Sequence, residues 1–404
     1  MASDSHHFRF ATDLEADGYV LEGNVFKSPY DQYLPLYEAK MLHQFDHRWA
    51  TYHSATESSE VTTQEKESPF FVALPRYWIR EEVVQSALPK YPESLALSLK
   101  LQDDRSVERI LRWWAAAYYR QLGHSDTSDQ LLNIDFTDSV DSSIDRLLGE
   151  GTADEIGARL QADFPLTEDD EADTILSGNN LIELANKLVE KFSPKWLLGW
   201  RDICRSTDTR TMIASALPCV PIGHTFPLLL PRAATDRERL FLIAMLNSFV
   251  LDYACRQKVG GTHITYGLLK QFPVLGPPAS DSLTDHVVSL TKKLVFSAED
   301  MRHDNEEVHV WDEELRFDVR CELDAIFLHL YLQANSDGAW QRMDSESDAE
   351  FSELRMHFAA PRDAASYILD QFPIVERDDK DKFNEPRTKN RILEHYDRIH
   401  RSSK

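Results

Sequence analysis

The run WLLGWRDICRSTDTRTMIASALP at residues 196–218, followed by LNSFVLDYACRQKVGGTHITYGLLKQFP at 246–273, organises the reading of this 404-residue chain. The first run predicts strands or short helices from Trp196 to Arg205 and from Thr211 to Leu217, flanking a polar Ser-Thr-Asp-Thr-Arg turn. Thr235 and Glu238 have capping-box spacing, so a helix is expected to start there, run through Leu246 and Phe249, and finish near Cys255. Gly260-Gly261 breaks it, and Thr262 to Pro273 is expected to return as a strand, before the stop at Gly276-Pro277-Pro278. The two runs set Arg201, Arg205, Arg210, Arg256 and Lys258 among hydroxyls and a Gly-Gly turn. Between Tyr253 and Pro278 there are three basic residues and no Asp or Glu, in a chain of formal charge -24. A window cleared of acids in so acidic a chain suits an anion, with phosphate the leading candidate. The competing reading is an ordinary helix end and turn.

Outward from these runs, residues 1 to about 60 read as short strands: Tyr19-Val20-Leu21, Val25-Phe26 and Tyr33-Leu34 alternate with Gly, Asn and Pro. A polar loop follows at 54–68, then an extended aromatic stretch from Pro69 to Ile79. Val107, Ile110, Leu111, Trp114 and Tyr118 recur at helical spacing within 106–121, which makes Trp113 and Trp114 core residues rather than stacking platforms. Another helix is expected at 181–192. Further helices are expected over Leu283–Val295, Glu314–Leu332, Asp363–Phe372 and Glu385–Ile399, with a loop at 334–361. The fold class is α+β. It comprises a mixed strand-and-helix recognition domain in two halves (1–100 and 193–280), a helical acidic insertion (101–192) and a mainly helical C-terminal domain (281–404).

The charge is uneven. From His124 to Asp173 fifteen acids face only Arg146 and Arg159, a local charge of -13. Such a block repels nucleic acid and reads as a solvated insertion; a DNA mimic and a partner-docking surface are the alternatives. Cys204, Cys219, Cys255 and Cys321 are scattered without a C-x-x-C, so a zinc knuckle is unsupported and reduced thiols in the cytoplasm are expected. The longest near-apolar run, Leu240 to Leu251, is too short to span a bilayer and contains Asn247. No membrane partner is expected.

Longer blocks flank the opening runs. Residues 33–52 read YLPLYEAKMLHQFDHRWATY, 311–331 read WDEELRFDVRCELDAIFLHLY, and YILDQFPIV at 367–375 precedes RTK at 387–389. Together these resemble the target-recognition and C-terminal region of large N6-adenine DNA methyltransferases of restriction-modification and phage-defence systems, the type IIG and DISARM-like group. The family's usual opening block is PLYEGKMIHQFDHR; Ala39 stands where Gly is common, which removes any tight-turn role that needs Gly there. The matched blocks reach nearly from end to end. The resemblance implies a module that binds double-stranded DNA, locates the site and stabilises distorted DNA. A catalytic domain or subunit would then methylate the extruded adenine from S-adenosylmethionine.

The family's catalytic motifs do not appear. Ser28-Pro29-Tyr30 has one Pro too few for the [Asp/Asn/Ser]-Pro-Pro-aromatic loop, and Pro277-Pro278 runs into Ala279-Ser280. Gly149-Glu150-Gly151 lacks the preceding apolar strand of a cofactor loop. The chain is therefore expected to be inactive alone, to carry no cofactor itself, and to work with a catalytic domain that holds S-adenosylmethionine. A fragment and one piece of a split enzyme both fit, and a protein-interaction subunit acting through the acidic insertion is the alternative function.

In the DNA-binding reading, Arg201, Arg205, Arg210, Arg256 and Lys258 grip phosphates, and Thr211, Thr262 and His263 add donors. Gly260 and Gly261 let backbone N–H groups approach a phosphate. By the resemblance Lys40, His47 and Arg48 belong to the start of the recognition domain, where they either touch DNA or brace it. Arg201 with Asp202 equally fits a buried network. Glu38-Ala39-Lys40 matches the E-x-K of metal nucleases, but Asp31 is too close in sequence to partner it. His43 and His47 have i,i+4 spacing without the glutamate of H-E-x-x-H. No G-x-S-x-G and no Walker loop is present.

Overall fold

The computed structural model describes residues 5–87, 130, 195–230, 235–277, 281–303, 306–342 and 347–402. The predicted helices at 106–121 and 181–192, and the acidic insertion apart from Gln130, lie outside the described residues. The chain divides into two compact units, Met1–Val84 with Lys195–Leu230 and Arg237–Lys404, and Gln85–Pro194 with Pro231–Asp236. The first unit thus joins most of both expected halves of the recognition domain to the C-terminal helices, while 85–100, 193–194 and 231–236 fall in the second unit.

Helix α1 (Ala11–Ala16) leads into strands β1 (Val20–Glu22), β2 (Val25–Lys27) and β3 (Gln32–Pro35). After β4 (Ala50–Tyr52), β5 (Ser58–Glu60) and α2 (Thr63–Lys66), β6 (Trp78–Arg80) closes an antiparallel sheet of order β1-β2-β3-β6, and α3 (Glu81–Ala87) follows. The expected strands at 19–34 are present. The expected loop at 54–68 instead holds β5 and α2, because Thr62 and Glu65 form a capping box, with Thr62 N donating to Glu65 Oε2 at 2.8 Å. Phe26 packs edge-on against Trp78 at 5.0 Å and, with Leu14 and Tyr33, forms a small core.

Strand β7 (Trp196–Trp200) is buried at every residue. It lies between β8 (Ala214–Pro218) and β9 (Leu228–Leu229), antiparallel to both. Strand alternation sends Trp196, Leu198 and Trp200 into the large core, while Leu197 enters a second core with Tyr37, Met41, Tyr52 and Phe226. Each large apolar side chain so buried contributes roughly 1.5–3 kcal/mol. Gly199 is required here because a Cβ would stand 2.4 Å from both the Phe226 ring and the Pro227 carbonyl oxygen.

The expected single helix after residue 235 is two helices, α4 (Asp236–Leu246) and α5 (Phe249–Lys258). Asn247 breaks the run by pairing with the β8 backbone: its side chain donates to Ala214 O at 3.0 Å and accepts from Ala214 N at 2.9 Å. Ser248 then caps α5 by accepting from Leu251 N. The strand expected over 262–273 is also corrected. Only the Ile203–His263 bridge forms there, and Thr265 then caps the short helix α6 (Tyr266–Leu269).

The C-terminal part is mainly helical: α7 (Asp281–Val295), α8 (Glu313–Tyr331), α9 (Asp348–His357), α10 (Pro361–Asp370), α11 (Pro373–Phe383) and α12 (Arg387–Ser402). Helix α9 occupies the expected loop at 334–361. Pro373, directly after the helix expected to end at Phe372, is the first residue of α11, where its missing N–H costs nothing. Helices α7, α8, α10 and α12 line the same large core as β7 and β8, so this part is continuous with the strand layer. No described helix is long and apolar enough to cross a membrane.

Candidate nucleic-acid interface

Arg201 follows directly on β7, and its position joins the two distant sequence blocks. Its Nε donates to Ala39 O at 3.0 Å and its Nη2 donates to Leu42 O, across the 3-10 turn Ala39–Met41. Burial pushes its pKa down to about 10. The same seam is held by Tyr37 N to Pro221 O at 2.9 Å, Gly223 N to Tyr37 O at 2.8 Å and Gln44 Nε2 to Met212 O at 3.0 Å. Residues 37–45 therefore lie against 201, 212–214 and 221–223.

Most of the expected phosphate grip faces inward, which corrects the sequence reading. Arg48 is fully buried and donates to four carbonyls: Ser68 O (2.9 Å), Phe71 O (3.0 Å), Lys66 O (3.1 Å) and Ser297 O (2.9 Å). His47 Nε2 meets Asp300 Oδ1 at 2.9 Å, and Asp46 pairs with Lys66 at 2.7 Å. Arg210 pairs with the buried Asp252 at 2.7 Å and lies over the Phe249 ring at 4.0 Å. Arg256 approaches the same carboxylate at 3.5 Å, donates to Thr209 O at 3.0 Å and Gln371 O at 3.2 Å, and covers Phe372 at 4.0 Å. Thr211 is buried, with its N–H on Asp252 and its hydroxyl on Arg205 O. The physical reason is common to all. Each guanidinium has donors for several loop carbonyls, and a buried carboxylate such as Asp252 is tolerated only when fully paired. Arg48, His47, Arg201, Arg210, Thr211 and Arg256 are braces.

A smaller set remains outside. Lys40 lies over the Tyr52 ring at 4.2 Å and donates to Ser58 Oγ at 3.1 Å. Arg205, Lys258, Gly260, Gly261, Thr262 and His263 are exposed. Cys204 N donates to Thr262 O at 3.0 Å and Ile264 N to Asp202 O at 2.8 Å, so the Gly-Gly segment is tied to the strand running out of β7. His263 Nδ1 lies 3.0 Å from Asp202 Oδ2. A Cβ on Gly260 or Gly261 would meet nothing within 4 Å, so neither packing nor a left-handed φ requires glycine there. The open backbone is accessible to a ligand.

Sequence reasoning missed three exposed residues of this rim: Lys270, Ile203 and Tyr266. Lys270 lies in the same acid-free window, and that signal was available. Exposure of Ile203 depends on which residues of its strand face the core, which the sequence does not state. Neither Arg205, Lys258 nor Lys270 forms an ion pair among the described residues. The rim therefore presents three cations without ion pairs beside open backbone, with the exposed Asp208 carboxylate on the Arg205 backbone N–H at 2.9 Å, and the excess of positive charge suits phosphate.

Elsewhere, a cavity of about 330 Å³ between α8 and α12 is lined by Glu314, Asp318, Arg387, Arg391 and Glu394. Its cations are already engaged, with Arg391 on Asp318 at 2.6 Å and Arg387 on Glu314. Among the described residues no three of His, Cys, Asp and Glu come together to hold a metal ion. Compared with family models, curated proteins and solved structures, the chain matches none of them.

Proposed function

We propose that this chain is the DNA sequence-recognition module of a site-specific adenine-N6 DNA methyltransferase of restriction-modification or phage-defence type. It holds duplex DNA while a catalytic domain or subunit, carrying S-adenosylmethionine, transfers the methyl group. The observation behind this reading is the cationic rim of Arg205, Lys258 and Lys270, beside an acid-free Gly-Gly segment in a strongly acidic chain. The scaffold beneath it supports the reading too. The block HQFDHR, central to the family resemblance, is where internal partners concentrate: Gln44 on Met212, Asp46 on Lys66, His47 on Asp300 and Arg48 on four carbonyls. Gln44 ties this block to the second expected half at Met212, while His47 and Arg48 tie it to Asp300 and Ser297 of the C-terminal part.

Binding of the full chain to labelled duplex DNA tests the proposal. If Lys40, Arg205, Lys258 and Lys270 each meet one phosphate, log affinity falls against log salt with a slope of roughly -3 to -4. That is about a hundredfold loss between 50 and 200 mM salt. Arg205→Ala and Lys258→Ala each reduce the slope by about 1 and leave the melting curve unchanged. Absence of binding at low salt, alone and with a catalytic partner, refutes the proposal.

A further inference from the structure

Two large apolar side chains stand among the exposed cations of the rim, and phosphate binding gives them no task. The bridge between Ile203 and His263 sends Cys204 and Ile264 inward, so alternation turns Ile203 outward, where it is 56% exposed. Tyr266 is 51% exposed, yet its ring is held in place. It packs edge-on against Trp200 at 4.9 Å, and its hydroxyl donates to Leu228 O at 2.8 Å. An aromatic restrained at both ends loses little freedom when something stacks on it.

The surroundings decide what that partner is. A protein-binding aromatic is ordinarily ringed by a polar, mixed rim. Here the neighbours are Arg205, Lys258 and Lys270, all exposed and without ion pairs among the described residues, and no carboxylate occurs between Tyr253 and Pro278. The nearby Asp202 is engaged by His263. The exposed Asp208 carboxylate accepts from the Arg205 backbone N–H at 2.9 Å, but the three cations carry no ion pair among the described residues. Cations in excess around exposed apolar groups match a nucleic acid, whose phosphates meet the cations and whose bases meet the apolar faces. Aliphatic side chains wedge between base steps, and aromatic rings stack on unpaired bases.

We infer that Ile203 and Tyr266 contact nucleobases, wedging and stacking at a base step that opens when duplex DNA binds. This rests on the DNA-binding reading above. The test compares binding of the full chain to a mixed-sequence duplex and to the same duplex with a central unpaired step, which removes the cost of unstacking. The wild type binds the interrupted duplex roughly tenfold more tightly, the scale of one base–aromatic stack. Ile203→Ser and Tyr266→Ala bring that ratio close to one and leave the salt slope unchanged, whereas Tyr266→Phe keeps it. Ile203→Ser alters only an exposed side chain, so it answers even if Tyr266→Ala unfolds. Combined Arg205→Ala, Lys258→Ala and Lys270→Ala weakens both duplexes alike. Equal affinity of the wild type for both duplexes, or an undiminished ratio in Ile203→Ser and Tyr266→Ala, overturns the inference and leaves duplex binding standing. Failure to bind either duplex at low salt overturns the reading beneath it.

Discussion

Replacing Asp252 with alanine separates a brace from a DNA contact. The Asp252 carboxylate is fully buried and accepts from Arg210 Nε at 2.7 Å and from Thr211 N at 3.1 Å, with Arg256 Nε at 3.5 Å. Its removal strands two guanidiniums among the rings of Phe249 and Phe372 and leaves a buried backbone N–H unmet. Breaking one partner of a buried ion pair costs about 3–5 kcal/mol. That loss lowers the melting temperature on the order of 10 °C, as followed by circular dichroism. Arg210→Ala is expected to destabilise as well, because it leaves the buried carboxylate with Arg256, at 3.5 Å, as its remaining charged partner. A double-mutant cycle should then show strong coupling, the double variant being far less damaged than the sum of the singles. A shift under about 1 kcal/mol for Asp252→Ala refutes the reasoning. So does an Arg210→Ala variant that keeps its melting temperature and loses DNA affinity.

Two further outcomes follow from other parts of the fold. Gly199→Ala sets a methyl group 2.4 Å from the Phe226 ring and the Pro227 carbonyl, and should cost at least about 1–3 kcal/mol in a urea titration; a neutral result would show that β7 and β9 are not packed so closely. Burial and the nearby Arg201 charge hold the His43 imidazole down to about 3, far below its ordinary value, so the folded state keeps it neutral. The unfolded chain then binds the extra proton: the contribution of His43 is complete above about pH 6.5 and is lost as pH falls from there towards 3. His43→Phe, which preserves the ring contact with Trp49, should flatten that part of the stability–pH curve; an unchanged acid limb would show that His43 titrates normally.

Much of the fold was legible locally. WLLGW, read as a strand or a short helix, is the buried strand β7, and Gly, Asn and Pro punctuation marked the N-terminal strands. The long amphipathic patterns at 283–295 and 314–332 became α7 and α8. The failures have a common cause. Met245, Leu246, Phe249 and Val250 continue an apolar run across the break at Asn247-Ser248. Only the pairing of Asn247 with Ala214, a residue from another element, ends the helix there. Thr265 similarly starts a helix in a stretch whose composition suits a strand.

The candidate site divides along the same line. Clearance of acids from Tyr253 to Pro278 was visible in the sequence, and Lys258, Gly260, Gly261, Thr262 and His263 do lie on the surface. Asp252, which engages Arg210 and Arg256, sits one residue outside that window. An arginine looks the same in sequence whether its donors meet phosphate, carbonyl or carboxylate.

The sequence alone determined which segments are apolar, where helices and strands are favoured, and where positive charge is left uncountered along the chain. Tertiary structure decided which cations remain exposed, because the groups that engage them come from far along the chain. Arg210 finds Asp252 across 42 positions, and Arg316 finds the Phe45 carbonyl across 271. Hydrogen bonds act over about 3 Å, so only the folded chain brings such partners within reach.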